Sequence, residues 1–257
     1  MSTQLLSQAQ LPPPGTMSYS PPSKSSLDRS GRVAHVYLDE SNFKISGATA
    51  YKESHRIDPE VRLDWHYDIL ALNGIIRRVT GMKVNEEVFL SVYGSNLERG
   101  LVFGDLKLHS SRLLNIHRKR KHSEKKIDTT LVRDMSLDAV HLQESKETDV
   151  LVLVSGDNDM IPAVQYAQEC GYTVHVCAWE DSVSDEYKQL ACEGLIRLTL
   201  LDESLVTLTM PNFSFPMGKL RFPYNCLELL NPWHVVGQLG DKLEEYFHRV
   251  RKLKLDS

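Results

Sequence analysis

The chain has 257 residues, and its 30 lysines and arginines against 34 aspartates and glutamates give a formal net charge of −4. With 41% hydrophobic and 25% charged residues, it has the composition of one medium globular domain with appendages, which excludes collagen-like and wholly disordered proteins. The net charge on its own argues against nucleic-acid binding, which an excess of positive charge usually indicates.

The cysteines and the apolar runs bear on the compartment. None of the four cysteines forms a C-x-x-C pair, and four are too few for a disulfide scaffold of this length, which favours a reducing compartment. No apolar run approaches the roughly 18–20 residues that span a bilayer, and the N-terminus lacks the apolar stretch of a secretory signal. We therefore expect an intracellular protein, cytoplasmic or nuclear, with no membrane partner.

The two ends of the chain differ in composition from its middle. Residues 1–31 hold five of the eleven prolines and eight serines, so we expect a disordered tail that cannot bury enough surface to offset its ordering entropy. The folded domain is expected over residues 32–203. Residues 204–257 form an extension that ends in a predicted amphipathic helix, and it is expected to pack on its own domain or on a protein partner.

Strands are predicted to alternate with helices across the domain. Short runs rich in branched apolar residues predict the strands, and apolar residues at helical spacing predict the helices. The predicted strands are Val33–Leu38, Val88–Tyr93, Val150–Val154, Tyr172–Trp179 and, as the last one, Leu195–Leu201. The predicted helices are Val61–Val79 (ended by Gly81), Asp128–His141, Asp159–Cys170 and Val183–Cys192, with a polar loop before the first of them.

This alternation implies right-handed crossovers and a mainly parallel sheet, hence the α/β class. Val150–Val154 is continuously hydrophobic, as expected of a strand that is covered on both faces. Ligands of open parallel sheets bind beyond the carboxyl ends of the strands. Acidic residues that follow the strands are therefore candidates for a functional site.

Three acidic segments lie at predicted strand ends or helix starts. They are Leu38-Asp39-Glu40-Ser41-Asn42, Lys126-Ile127-Asp128 through Asp134, and Ser155-Gly156-Asp157-Asn158-Asp159. Clustering like charges costs free energy unless a cation neutralises them, and a divalent cation that prefers oxygen ligands does so. Each segment alone has an ordinary alternative, because aspartates at such places are more often helix caps, turn formers or solvated helix residues.

In this order, the three segments resemble the NYN domain, a branch of the PIN-like nuclease superfamily. The family pattern is a strand ending in D-x-x-N, a helix start K-x-[VI]-D-x-x-L-x-x-D, and S-G-D-x-D-[FM]-x-P after a strand. The matching segments are Asp39–Asn42, Lys126–Asp134 (shifted only by the Lys125-Lys126 pair) and Ser155–Pro162. The last of these is the most specific, and the resemblance covers roughly residues 32–203.

The resemblance implies a metal-dependent ribonuclease on a three-layer α/β/α sandwich. By similarity, the catalytic and metal-binding residues are Asp39, Asp128, Asp157 and Asp159, and the cofactor is Mg²⁺ or Mn²⁺. The implied supporting residues are Asn42, which would orient a ligand or substrate phosphate, Ser155, which would steady the turn, and Asp134, which would lie outside the ligand set. Glu40 departs from the family, where glycine is common, and it either adds a carboxylate to the site or points away from it.

A basic segment precedes the second acidic motif. The window Lys107–Lys126 contains eight lysines and arginines and one acid, so it contributes +8 − 1 = +7 and the rest of the chain sums to −11. The candidate RNA-binding residues in it are Arg118, Lys119, Arg120, Lys121, Lys125 and Lys126. Such a run is either a solvated loop, a nuclear-localisation signal or a contact for the RNA backbone, and its position two residues before Asp128 favours RNA.

The sequence therefore supports three functional hypotheses. The first is a ribonuclease that cleaves single-stranded RNA endonucleolytically and, by similarity, leaves 5′-phosphate and 3′-hydroxyl ends. The second is an RNA-binding or scaffold module of little activity within an RNA-processing assembly, because the proline-rich tail and the extension suit protein partners. The third is a DNA nuclease, since PIN-like relatives include structure-specific ones.

Overall fold

The computed structural model describes residues 31–100, 102–116 and 123–216, and its centre is a parallel β-sheet. Eight strands lie within the described residues. They are β1 (Val33–Asp39), β2 (Leu63–Tyr67), β3 (Glu87–Ser95), β4 (Arg112–Ile116), β5 (Val150–Val154), β6 (Val174–Ala178), β7 (Arg197–Leu200) and β8 (Thr209–Pro216). Six of them form the central sheet in the order β4-β3-β1-β5-β6-β7, with every neighbouring pair parallel, whereas β2 and β8 form a separate antiparallel pair.

Helices connect the strands and cover both faces of the sheet. Within the described ranges they are α1 (Glu40–Ser54), α2 (Ile69–Thr80), α3 (Phe103–His109), α4 (Ser123–His141), α5 (Ile161–Glu169), α6 (Asp185–Cys192) and α7 (Leu205–Leu208). A short 3-10 helix, Asn158–Met160, precedes α5. None of the helices in this part of the chain is long and apolar enough to cross a membrane.

The order of the strands reverses at β1. From this central strand the chain adds β3 and β4 on one side, then returns to add β5, β6 and β7 on the other. A crevice opens where successive connections leave in opposite directions, outside the carboxyl ends of the strands. Asp39 is the last residue of β1, and Ser155 directly follows β5, so two of the acidic segments meet at this point.

Side chains alternate between two core layers, as the pleat of a strand requires. In β1, Val36 and Leu38 pack with α1, α2 and β2, whereas Tyr37 packs with α4, α5 and α6. All five residues of β5 are buried, which confirms the prediction of a strand covered on both faces. The two layers on one parallel sheet confirm the predicted α/β sandwich.

Helix α4 brings the second acidic segment to the sheet. Ile127, Leu131, Met135 and Ala139 recur every four residues, and each is at most 2% exposed. The predicted helix Asp128–His141 is thus confirmed, and it begins five residues earlier, at Ser123.

The predicted helix Val61–Val79 is wrong in its first half. Its first residues form β2, and α2 begins only after Asp68, whose Oδ1 accepts hydrogen bonds from the amides of Leu70 (2.8 Å) and Ala71 (3.1 Å). β2 pairs with β8, more than 140 residues later in the chain. A pairing so distant in sequence leaves no trace in the local spacing of apolar residues, which fitted one long helix.

The predicted polar loop after β1 is also wrong, because α1 begins at Glu40. This helix buries few large side chains, and Gly47 faces the ring of Trp65 so closely that an added Cβ would collide with it. A helix that packs through small residues shows little apolar periodicity. The short elements α3 and β4 were likewise not predicted.

The described chain continues past the predicted last strand. Residues Leu195–Leu201 contain β7, but β8 follows and pairs with β2, so the extension after residue 203 starts by packing on its own domain. The predicted amphipathic helix near the C-terminus and the proline-rich tail of residues 1–30 lie outside the described residues.

Candidate active site

Asp39 lies at the centre of the site. It ends β1, caps the N-terminus of α1 and is 4% exposed. Its Oδ1 accepts a hydrogen bond from the amide of Asn42 at 3.2 Å, and its Oδ2 accepts one from the hydroxyl of Ser155 at 3.3 Å. The first bond is made within α1 and the second crosses from β1 to the turn after β5.

A second bond between the same segments fixes their separation. The side-chain oxygen of Asn42 accepts from the amide of Gly156 at 3.1 Å, and the Ser155 hydroxyl oxygen accepts from the amide of Asp157 at 3.2 Å. The D-x-x-N and S-G-D segments therefore hold each other in place. The Ser155 hydroxyl thus joins the turn after β5 to Asp39, whereas the role implied for Asn42, which is to orient a ligand or substrate phosphate, stays a prediction.

Gly156 has no room for a side chain. An added Cβ would lie 2.9 Å from the Cα of Val183 and still closer to the carbonyl group of Ser182. The Gly156 carbonyl also accepts from the amide of Ser184 at 3.2 Å, so the turn after β5 is packed directly against the backbone before α6.

Asp157 and Asp159 project from the following turn. Asp157 is half-buried and caps the 3-10 helix, its Oδ1 accepting from the amide of Asp159 at 3.0 Å. The carbonyl of Asp157 accepts from the hydroxyl of Tyr187 at 3.2 Å. Asp159 is exposed.

Asp128 approaches these carboxylates from the helical layer. Its pKa is raised to about 6, first by burial and then by the negative charges of Asp39, Asp157 and Asp159. Only nearby charges act in this way. The structure thus brings together, from three separate segments, the four aspartates that the resemblance named.

The pKa of Asp39 is also raised to about 6. Burial is the largest cause, and the charges of Asp157 and Glu40 add to it, whereas the hydrogen bonds from Asn42 and Ser155 act in the opposite direction. The protein therefore places carboxylates where their ionised forms are unfavourable, which is common at functional sites.

The donor set has the chemistry that a hard divalent cation requires. Mg²⁺ binds through one or two carboxylates together with waters and phosphate oxygens, and the four aspartates offer carboxylate oxygens only. Over the described residues, however, no three acidic, histidine or cysteine side chains already stand in an arrangement that could hold a metal ion. The chemistry of the site fits a cation, but its side chains are not drawn together around one.

Glu40 points away from the other acids of the site. It is 7% exposed, and its Oε1 accepts a hydrogen bond from the Tyr67 hydroxyl at 3.4 Å. Its pKa is raised chiefly by burial, while Lys44 and Tyr67 act to lower it. Of the two alternatives left open by the sequence, the orientation toward β2 is the one observed.

Asp134 lies on the sheet-facing side of α4 and outside the aspartate cluster. It is 5% exposed and accepts a hydrogen bond from the Tyr93 hydroxyl at 3.1 Å, with Arg112 3.5 Å away. Arg112 therefore faces the interior and differs from the other cations of the basic segment.

The remaining basic candidates are only partly described. Lys126 is exposed on α4, two residues before Asp128. Residues Arg118–Lys121 and the side chain of Lys125 lie outside the described residues.

Sequence reasoning missed Tyr187 and Gly156 as parts of the site. Tyr187 lies in α6, is buried in the core and donates its hydroxyl to the backbone carbonyl of Asp157, so its residue type and spacing gave no indication of this contact. The need for glycine at position 156 arises from the backbone of residues 182–183, which packs against it only in the folded chain.

Fold and site together define a parallel α/β protein with an aspartate cluster at the switch point of its sheet. A comparison with protein families matches residues 35–198 to the NYN domain, a range that includes all four aspartates and more than half of the chain. The chain belongs to the NYN domain family, a PIN-like nuclease family that is generally directed at RNA. Comparisons with curated proteins and with solved structures gave no significant match.

Proposed function

We propose that the chain is a divalent-metal-dependent ribonuclease that cleaves single-stranded RNA endonucleolytically. The observation that carries the proposal is the convergence of Asp39, Asp128, Asp157 and Asp159 at the switch point of the sheet of a NYN domain. The negative charges of the cluster raise the pKa of Asp39 and of Asp128, so the cluster needs a counter-charge, and RNA phosphates do not provide one. A divalent cation does, and it binds phosphate oxygens as well.

The same four aspartates would hold Mg²⁺ or Mn²⁺. When bound, the cation would lower the pKa of water and stabilise negative charge on the phosphoryl group. The chain's own contribution is orientation. Asn42 and Ser155 fix the two oxygens of Asp39, and the hydroxyl of Tyr187 holds the backbone of Asp157.

RNA would reach the site along the basic segment. Lys126 is exposed one helical half-turn before Asp128, and Arg118–Lys121 precede it in the sequence. Lysine and arginine contacts to phosphates give affinity that does not depend on base sequence and that weakens with salt. This segment would therefore concentrate RNA beside the carboxylates. We also propose that the protein acts inside the cell.

The proposal is tested by incubating the full chain with end-labelled single-stranded RNA and a DNA strand of the same sequence. We expect internal cleavage of RNA with Mg²⁺ or Mn²⁺, none with EDTA, and products with 5′-phosphate and 3′-hydroxyl ends. The Asp39→Asn/Asp157→Asn variant should lose cleavage by at least about a thousandfold, the scale expected when several groups act as one catalytic unit. The matched control is Asp185→Asn, because Asp185 is a fully exposed aspartate on α6.

Three results would count against the proposal. Cleavage that persists in the double variant would show that these aspartates are not the site, and cleavage unaffected by EDTA would refute metal dependence. Equal cleavage of the DNA strand would indicate a nuclease without RNA preference.

A second candidate function is an RNA-binding or scaffold module with little activity. It is favoured by one observation, namely that no three acidic side chains of the described residues already form a metal-binding arrangement. Isothermal titration calorimetry separates the two functions. Binding of RNA without any uptake of Mn²⁺ at millimolar concentration would establish the scaffold function instead.

A further inference from the structure

A cluster of polar side chains joins α4 to the sheet, away from the aspartate site. Asp134 and Asp138 lie one turn apart on the buried side of α4, and they are 5% and 1% exposed. Asp134 accepts a hydrogen bond from the Tyr93 hydroxyl at 3.1 Å, and Asp138 accepts one from the Tyr37 hydroxyl at 2.8 Å. Each bond links the helix to a different strand, β3 or β1.

Arg112 connects the two aspartates. Its Nη1 lies 3.5 Å from Asp134, 3.6 Å from Asp138 and 3.4 Å from the Tyr93 hydroxyl oxygen, to which it donates. Arg112 and Tyr37 lie in one row of the sheet, on either side of Ser91 of β3, and Tyr93 lies two residues further along β3. We call Tyr37, Tyr93, Arg112, Asp134 and Asp138 the α4 polar network.

A need to stabilise α4 does not by itself explain why this network is present. The helix already has a buried apolar stripe, and buried charges contribute little net stability even when they are paired, because desolvation offsets their attraction. Apolar contacts are not directional, whereas polar contacts from three residues on three different strands to two aspartates of α4 permit one rotation of the helix about its axis. The network is thus suited to determining the position of α4 rather than its stability.

The position of α4 matters to the site because the helix carries Asp128. Asp138 lies ten residues after Asp128, which is about 15 Å along a helix axis. Its partner Tyr37 lies two residues before Asp39 in β1. The bond between Tyr37 and Asp138 therefore ties the strand of one site aspartate to the helix of another.

We propose that the α4 polar network is a positioning device that sets the rotation of α4 and so places Asp128 beside Asp39 and Asp157. The inference rests on the proposed function for the role of Asp128, but not for the geometry of the network. Its members touch neither substrate nor cation and act only through the helix.

The test replaces the network by apolar residues of similar size. The variant combines Tyr37→Phe, Tyr93→Phe, Arg112→Met, Asp134→Leu and Asp138→Leu. Replacing a buried ionic group in this way often keeps or raises stability, whereas removal of one member leaves an unpaired charge. Arg133, which also bonds Asp134, is half-exposed and stays solvated in the variant. We expect the variant to stay folded, with faster amide hydrogen exchange confined to residues 126–132, at least tenfold weaker Mn²⁺ binding by calorimetry, and a fall in kcat for RNA cleavage.

The result that would overturn the inference is a folded variant whose exchange in residues 126–132 and whose Mn²⁺ affinity equal those of the parent protein. If the fivefold variant does not fold, Tyr37→Phe alone decides the question, with Tyr51→Phe on α1 as the matched control. The inference then requires Tyr37→Phe, and not Tyr51→Phe, to speed exchange in residues 126–132.

The exchange measurement keeps this inference separate from the proposed function. If the parent protein neither binds Mn²⁺ nor cleaves RNA, the proposed function fails, while exchange in residues 126–132 still shows whether the network holds the helix. If the parent cleaves RNA and the network variant is indistinguishable from it in every measurement, the proposed function stands and the positioning role is refuted.

Discussion

Replacing Asp39 by asparagine should stabilise the metal-free protein at neutral pH. Burial raises the pKa of Asp39 from 3.8 to about 6, so folding favours its protonated form. A difference of about two pH units corresponds to ~3 kcal/mol, which is the free energy of folding that ionised Asp39 costs above pH 6. Asparagine removes this cost. It does not accept the hydrogen bond from the Ser155 hydroxyl as a carboxylate does, and this difference costs ~1 kcal/mol. The expected net gain at pH 7.5 is therefore ~2 kcal/mol.

The pH dependence identifies the cause of this gain. The destabilising effect of Asp39 is absent below about pH 4, where the carboxyl is protonated in both states, and complete above about pH 6. Urea unfolding in EDTA at pH 7.5 and pH 4.5 should thus show the variant more stable at the higher pH only. Asp185→Asn, an exposed site, should change little at either pH. A variant that is destabilised equally at both pH values would refute the argument that burial of charge sets the energetics of the site.

Three further predictions concern cleavage, packing and RNA binding. The rate of cleavage at fixed, subsaturating Mn²⁺ should fall as the pH drops below about 6, because the metal-free site takes up protons at Asp39 and Asp128. A rate that is constant from pH 5 to 8 in single-turnover assays would contradict this. Gly156→Ala should lower stability by ~1–3 kcal/mol in urea unfolding because its Cβ meets backbone, whereas Gly74→Ala, with open space around it on α2, should be neutral or stabilising. Replacing Arg118–Lys121 by glutamine should weaken the binding of single-stranded RNA. The slope of log affinity against log salt should fall by ~0.7 for each phosphate that is no longer neutralised. An unchanged slope in filter binding would exclude this segment from the interface.

The sequence was sufficient for those parts of the molecule whose patterns are local. The continuous apolar run of β5 and the four-residue spacing in α4 predicted a strand and a helix, and the structure confirms both. The convergence of four aspartates followed from a general rule about parallel strands together with the family resemblance. Neither step required knowledge of a contact between distant residues.

The parts that could not be predicted depend on such contacts. α1 packs through Gly47 against Trp65, and β2 exists because β8 pairs with it, so local apolar spacing misled in both cases. The inward direction of Arg112 was hidden for the same reason, because its partners Asp134 and Asp138 lie more than 20 residues later in the chain. A count of charges along the sequence treats buried charged residues such as these as surface residues.

The count of charges along the sequence is interpreted differently once the side chains are located in the structure. Of the eight cations between Lys107 and Lys126, Arg112 neutralises carboxylates of α4 and is not available to RNA. The acids at the switch point, by contrast, raise the pKa of Asp39 and of Asp128, so an RNA phosphate approaching them would meet a local field of its own sign. Under the proposed function, attraction by the basic segment would bring RNA near but would not remove the repulsion at the reacting phosphate. Added salt should therefore weaken RNA binding without substituting for Mn²⁺ in cleavage, because only a cation held by the aspartates acts at that point.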